Sequence, residues 1–189
     1  VYENIKSNNL VMNKPMGGFY LMPEFLNKKF ETSSQMCKEI LNSTSEAIFN
    51  GYTKYGPAAG DIELRKAIAK KLQNQNNLNV EFENIMVTNG AKQAIYNLFQ
   101  VLLNDGDEVI IPAPYWLSYP QMVRLAGGKP VFLNSSAEDG FKINIQDLKS
   151  KISPKTKFLI INSPNNPTGR VMPKEELLQI AELIRENKN

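Results

Sequence analysis

Apolar residues follow two regular patterns along the chain after residue 60. Segments with apolar residues at helical spacing alternate with short, nearly unbroken apolar runs, and Asp61 is a suitable N-cap for the first helical segment. The unbroken runs predict strands at 85–88, 108–113, 129–134 and 157–162. The helical spacing predicts helices at 61–73, 92–104, about 117–126, weakly at 144–152, and at 173–187, where Pro173 suits a first helical position.

Alternation of this kind predicts an α/β fold. Strands that are apolar at almost every position are typical of a parallel sheet that is covered on both faces, so we expect a three-layer α/β/α arrangement around a mainly parallel sheet. Ligands of such sheets bind beyond the carboxyl ends of the strands. The segments that follow three predicted strands are TNGAK (88–92), PAPYW (112–116) and NSPNNPTG (162–169), and we expect them to share one edge.

Each of these segments has a chemical interpretation and a structural one. TNGAK opens a helix, whose first-turn N–H groups suit an anion; Gly90 would allow a phosphate to approach and Lys92 would add charge, although an ordinary turn is equally consistent. Trp116 could stack on a flat ring or fill the core. Asn166 could donate to a ring oxygen or form part of a turn. Together the segments predict a pocket for a phosphorylated planar heteroaromatic compound.

The composition excludes several other classes of function. The 189 residues are 42% hydrophobic and 22% charged, with a net charge of +3, which gives no indication of nucleic-acid binding. The absence of histidine and the single cysteine, Cys37, exclude common zinc sites, histidine-based triads and an internal disulfide. The sequence contains no secretory signal and no membrane span, so we expect a cytoplasmic protein without a metal.

Four longer segments show which family the sequence resembles. They are GYTKYGPAAGDIELRKAI, VTNGAKQAIYNLFQ, DGDEVIIPAPYWLSYPQMV and LIINSPNNPTG. In this order and spacing, over residues 46–189, they resemble the class I (fold-type I) aminotransferases that use pyridoxal 5′-phosphate (PLP), most closely the aspartate-type branch. The resemblance implies a PLP-transferase-like large domain and transfer of an amino group between an amino acid and a 2-oxo acid.

The resemblance also implies roles for individual residues. Gly90, Ala91 and Lys92 would lie at the cofactor phosphate, and Trp116 would stack on the pyridine ring. Asn166 would donate to the phenolic oxygen and, with Trp116, lie close to the substrate. Tyr55 would reach the phosphate bound by a neighbouring subunit, because these enzymes are homodimers with shared active sites.

Two departures from the family pattern affect these expectations. Residues 1–44, with the segment GGFYLMPEF (17–25), resemble part of the family's C-terminal small domain, a small α+β appendage, although a generic strand with flanking helices is an alternative. Residues 45–189 would then be the N-terminal half of the large domain. No lysine stands in the sequence context of the family's Schiff-base lysine, so we expect no catalytic residue here and a chain that is catalytically incomplete by itself.

Three functions therefore stay open from the sequence. The first is a PLP-dependent aminotransferase; the second is a non-catalytic fragment that binds PLP or phosphate; the third is another fold-type I PLP enzyme, such as a C–S lyase or a decarboxylase. The family's sheet has seven strands and this chain supplies about four. We expect the unpaired strand edge to favour self-association, hence a homo-oligomer.

Overall fold

The computed structural model describes residues 10–12, 23–25 and 32–187. The chain divides into two compact units, Val1–Thr88 and Asn89–Asn189. Each unit is described by itself, and the domain boundary expected between residues 44 and 45 stays a prediction.

The first unit combines two short strands with helices. Strands β1 and β2 pair antiparallel, with Val11 opposite Glu24. The segment expected as a strand at 17–25 is described only at its end, as β2, and its remainder lies outside the described residues. The elements are β1 (Leu10–Met12), β2 (Pro23–Phe25), α1 (Ser33–Phe49), α2 (Ile62–Asn76) and a 3₁₀ helix (Phe82–Asn84).

Side chains fix the start of α2 and its position against the 3₁₀ helix. The Asp61 carboxylate accepts a hydrogen bond from the Leu64 N–H at 2.9 Å, which confirms the predicted N-cap. Farther along the helix, the Arg65 Nε–H donates to the backbone oxygens of Phe82 (3.2 Å) and Ile85 (2.8 Å). Arg65 thus joins α2 to both ends of the 3₁₀ turn, whose Phe82 oxygen also accepts from the Ile85 N–H at 3.1 Å.

The strand predicted at 85–88 is wrong. Ile85 has extended backbone angles (φ −111°, ψ 129°), and the Val87 N–H donates to the Ala59 oxygen at 2.9 Å, but the segment joins neither sheet of the described chain. An extended run becomes a strand only where another strand offers a matching row of N–H and C=O groups. Hydrophobicity alone could not show that this partner was missing.

The second unit carries the predicted parallel sheet. Strands β4, β3 and β5 lie side by side in that order, and both pairs are parallel. Among the described residues, no helix is long and apolar enough to cross a membrane. The elements are α3 (Gly90–Leu102), β3 (Glu108–Pro112), α4 (Ser118–Leu125), β4 (Lys129–Leu133), α5 (Ile145–Lys151), β5 (Thr156–Leu159) and α6 (Lys174–Glu186).

Strand β3 separates two hydrophobic cores. Val109, Ile110 and Ile111 are all 0% exposed, and alternate side chains of a strand point to opposite faces. Val109 and Ile111 belong to the core formed with α3 and α4, whereas Ile110 belongs to the core formed with α5 and α6. The three-layer α/β/α arrangement is thereby confirmed for this unit.

The turn after α4 packs closely against the first core. The Gly128 N–H donates to the Val123 oxygen at 2.9 Å and so closes the end of α4. A Cβ atom on Gly128 would lie 2.9 Å from Leu103 Cδ1, 3.0 Å from Val123 Cγ1 and 3.2 Å from the Asp107 oxygen. These neighbours are two buried core side chains and a backbone atom, which have little room to move.

Glu108 joins the three strands at the end of the sheet opposite the three loops. Its carboxylate accepts from Ser153 Oγ at 2.6 Å, just before β5, and from Lys129 Nζ at 3.1 Å on β4. The Ser153 hydrogen bond, and secondarily Lys129, lower the pKa of Glu108 below its ordinary value of 4.5. Lys129 is 67% exposed, so the surface ion pair contributes less than the hydrogen bond.

Replacing Gly128 with alanine should destabilise the second unit. Overpacking of this kind costs about 1–3 kcal/mol in a well-packed site. Chemical denaturation followed by circular dichroism measures the change, with Gly56→Ala as the control, because nothing lies within 4 Å of a Cβ at Gly56. Equal stabilities of the two variants would show that the close packing around Gly128 is absent in solution.

Glu108→Gln should change the pH dependence of stability. A folded-state pKa below the unfolded one stabilises the protein above the unfolded pKa, and this contribution is lost as the pH falls through the folded value. Near pH 7 we expect the variant to lose roughly 1 kcal/mol, and we expect the difference from the parent chain to shrink below pH 4.5. Melting temperatures of both chains near pH 7 and below pH 4.5 test this expectation. A difference between the two chains that is the same at both pH values would contradict it.

Candidate functional site

The first turn of α3 has the geometry of an anion site. Gly90 opens this 13-residue helix with a positive φ of 78°, and no heavy atom lies within 4 Å of the position that its Cβ would take. Ala91 and Lys92 follow and are exposed. The first-turn N–H groups have no acceptor within their own helix, and the helix dipole adds to their attraction for negative charge. At Gly90 an anion can therefore approach the backbone closely, whereas one residue earlier the Asn89 N–H already donates to Gln93 Oε1 at 2.6 Å.

Lys92 connects this helix end with the loop that contains Trp116. The Lys92 ammonium lies 5.2 Å from the centroid of the Trp116 ring, within the range of a cation–π interaction. Two residues that the sequence predicted from separate segments are thus brought together, with the positive charge beside an aromatic face.

Trp116 is held on its other side by Tyr119. The two rings meet edge-on, with centroids 5.4 Å apart at 89°, and the Tyr119 N–H donates to the Trp116 oxygen at 3.0 Å. Trp116 is half-buried and packs on the core shared by β3 and α4, so it serves as core filler as well as loop surface. Burial raises the pKa of Tyr119, and its phenol stays neutral at physiological pH.

Asn166 lies exposed in the loop after β5. Its backbone N–H donates to the Asn162 side-chain oxygen at 3.0 Å, in the amide orientation in which the Asn162 nitrogen also donates to the Pro164 oxygen at 3.2 Å. The Asn166 carboxamide itself is on the surface of this loop.

Asn165, which the sequence analysis did not single out, joins two of the loops. Its side-chain nitrogen donates to the Pro114 oxygen, in the loop that contains Trp116, and to Thr168 Oγ1, both at 3.0 Å. The Gly169 N–H donates to the Asn165 oxygen at 2.7 Å. No signal in the sequence indicated this role, because adjacent asparagines in a turn look alike until their surroundings are known.

A buried ion pair beneath the same loop was also missed. Arg170 follows the loop directly and contacts Glu176, which is the one buried charged side chain in the described part of the chain. Opposite charges six residues apart, flanking a helix start, were the available signal. That spacing is not one at which side chains of a regular helix meet, so it gave no reason to pair them.

A cavity of about 40 Å³ lies under the loops. Pro114, Tyr115, Phe141, Asn165 and Arg170 are among its lining residues. This volume suits a few water molecules and not an aromatic ring. A ring-containing ligand at these loops would therefore lie outside this cavity.

Tyr55 belongs to the first unit and is described with that unit alone. Its side chain is fully exposed. Its expected contact with the phosphate of a neighbouring subunit stays a prediction.

The second unit is an α/β unit in which Lys92, in the first turn of α3, lies beside Trp116. Comparison with known proteins gives the family. The family model described as "Aminotransferase class I and II" matches residues 27–189. The chain belongs to this family, which depends on PLP. The match begins within the 1–44 segment, whose assignment to a small domain stays a prediction.

Similar proteins include aspartate aminotransferases. The chain is 48% identical over 150 residues to an aspartate aminotransferase of Bacillus sp. (strain YM-2), covering 79% of this chain and 38% of that protein. It is 51% identical over 148 residues to a probable aspartate/prephenate aminotransferase of Rickettsia bellii, covering 78% and 37%. The chain thus spans about two fifths of the length of these relatives.

Solved structures agree with the sequence relatives. The aspartate aminotransferase of Thermus thermophilus with maleate superposes with a TM-score of 0.75 at 48% identity, over 79% of this chain and 39% of that one. The aromatic aminotransferase of Pyrococcus horikoshii also has a TM-score of 0.75, at 45% identity, over 79% of this chain and 40% of that one. The α/β fold is therefore the PLP-transferase fold, present here in part.

Asn165→Ala and Asn166→Ala should differ in their effect on stability. Asn165→Ala removes two hydrogen bonds and leaves the Pro114 oxygen without this donor, which costs about 1–3 kcal/mol. Asn166→Ala changes an exposed side chain and should stay within about 0.5 kcal/mol of the parent chain. Denaturant unfolding distinguishes them; equal losses would mean that Asn165 does not join the loops in solution.

Proposed function

We propose that the protein is a PLP-dependent aminotransferase that moves an amino group between an amino acid and a 2-oxo acid. The observation that carries this proposal is the placement of Lys92 and the α3 N-terminus beside Trp116. Membership of the aminotransferase family supports the same function.

The residues present fit PLP in charge and shape. The phosphate would bind at Gly90, Ala91 and Lys92, where a helix end and an ammonium group meet. The pyridine ring would lie on Trp116, and the Asn166 amide would donate to the phenolic oxygen. When bound, PLP supplies an electron sink for chemistry at the substrate α-carbon.

Each side chain around the proposed ring position would have its own physical role. The Lys92 ammonium attracts the dianionic phosphate and lies within reach of the Trp116 face. Trp116 contributes a flat apolar surface that excludes water from one side of the ring. Tyr119 keeps the orientation of Trp116 through its edge-on contact and the backbone hydrogen bond.

Substrates and partners are part of the same proposal. The names of the similar proteins, aspartate and aspartate/prephenate aminotransferases, support an acidic amino donor. We also propose that the protein is a homodimer in the cytoplasm, with Tyr55 acting toward the site of the neighbouring subunit and Trp116 and Asn166 lining the substrate position.

Binding is a sharper test than turnover for a chain that spans two fifths of its relatives. Trp116 is the single tryptophan, so its fluorescence reports on the proposed ring site alone. We expect saturable quenching by PLP and by pyridoxamine 5′-phosphate, which has no aldehyde and forms no lysine adducts. Phosphate-free pyridoxal should quench far less, because it lacks the group held at α3. Equal quenching by all three compounds, or by none, would contradict the proposal.

Lys92→Met tests the phosphate contact. Loss of one charge-assisted contact should weaken PLP binding about tenfold, which corresponds to roughly 1.4 kcal/mol. Lys149→Met is the matched control, since Lys149 is an exposed lysine near the end of α5. An unchanged affinity in Lys92→Met, measured by the same titration, would remove Lys92 from the site.

A further inference from the structure

Glu176 is a buried carboxylate whose partners come from two separate segments. The residue is 2% exposed in the first turn of α6. Its Oε1 accepts from the Ile143 N–H at 3.0 Å and from Arg170 Nη1 at 3.3 Å, and its Oε2 accepts a short hydrogen bond from Arg170 Nη2. A buried charge is tolerated only with such partners, so the geometry of both segments is tied to this carboxylate.

Arg170 connects Glu176 to the loop that contains Asn166. Its guanidinium is only 18% exposed and is fixed by the fork-to-fork contact with Glu176. Its backbone closes the loop, because its N–H donates to Thr168 Oγ1 at 3.2 Å and its oxygen accepts from the Asn165 N–H at 2.8 Å. The loop therefore cannot shift without moving the guanidinium.

Asn165 connects this loop to the loop that contains Trp116. Its side-chain nitrogen donates to the Pro114 oxygen at 3.0 Å, two residues before Trp116. A continuous series of polar contacts thus runs from α6 through Arg170 and Asn165 to the platform where the cofactor ring is proposed to lie.

A gain in stability does not by itself explain the presence of a buried ion pair at this position. Replacing a buried ion pair with apolar side chains of similar volume is often neutral or stabilising, whereas the fixed direction of a bidentate contact specifies geometry. We infer that Glu176 and Arg170 are positioning residues, which set the spacing between the Asn166 loop and Trp116 for cofactor binding. This inference rests on the proposed function.

Glu176→Gln tests the inference in the full chain. The glutamine keeps an oxygen that accepts from the Ile143 N–H, but it removes the charge that holds Arg170. Asp147→Asn is the matched control, because it removes the charge from a half-exposed ion pair with Lys151 (3.7 Å) that belongs to neither loop. Both variants are compared at a temperature where circular dichroism shows them folded.

Two measurements distinguish a role of the pair in positioning the loops from a role in stabilising the fold. The first is quenching of Trp116 by acrylamide without any ligand; the second is the PLP dissociation constant from the fluorescence titration. For Glu176→Gln we expect an approximately twofold higher acrylamide quenching constant and roughly tenfold weaker PLP binding, because a loop displaced by about 1 Å no longer matches the ligand. Asp147→Asn should change neither readout.

A folded Glu176→Gln chain with a lower melting temperature but parental values of both readouts would overturn the inference. If the parent chain fails to bind PLP, the proposed function is wrong, and the acrylamide measurement still decides whether the pair positions Trp116.

A second variant covers the case in which Glu176→Gln fails to fold. The double variant Arg170→Met/Glu176→Gln leaves no unpaired buried charge. It should fold while still showing the raised acrylamide quenching, and parental quenching in this variant would also overturn the inference.

Discussion

The burial of β3 on both faces is the constraint on which the second unit depends. Val109, Ile110 and Ile111 have no exposed surface, so each of the two layers of helices must cover one face of this strand. A strand buried in this way cannot slip by one residue without exchanging its two sets of side chains between the cores. Its register therefore fixes where β4 and β5 lie, and hence which loops meet at its carboxyl end.

The sequence was sufficient for the parts of the fold that local patterns determine. The unbroken apolar run at 108–113 predicted a doubly covered strand, and the rule for parallel sheets placed Trp116 after its carboxyl end. Lys92 was placed at the same edge because it follows the run at 85–88, and its ammonium does lie 5.2 Å from the Trp116 ring centroid, but the reason for placing it there was wrong. The run at 85–88 has the same local character and is not a strand. The difference is a neighbouring strand, a property of distant sequence that no local pattern contains.

The polar contacts beneath the loops could not be predicted for a related reason. Glu175 and Glu176 both follow Pro173 at the start of α6, and both are equally suited to a helix N-terminus by sequence. Only the tertiary structure buries Glu176 and leaves Glu175 exposed. Asn165 and Asn166 form a similar pair, of which one joins two loops and the other faces outward. Neighbouring residues of one type differ here only through what packs against them.

The two ends of the sheet use polar groups for different purposes. At the amino end of β3, Glu108 joins strands that are already held by packing, so its contacts add to an ordered structure. At the carboxyl end, where the ligand is proposed to bind, the loops would have to leave a surface open and so would not be fixed by apolar burial on that side. The positions of these loops then have to be fixed by directional contacts on the side of the loops that faces the protein interior. A buried pair such as Arg170 and Glu176, costly as a source of stability, provides this order without occupying the ligand surface.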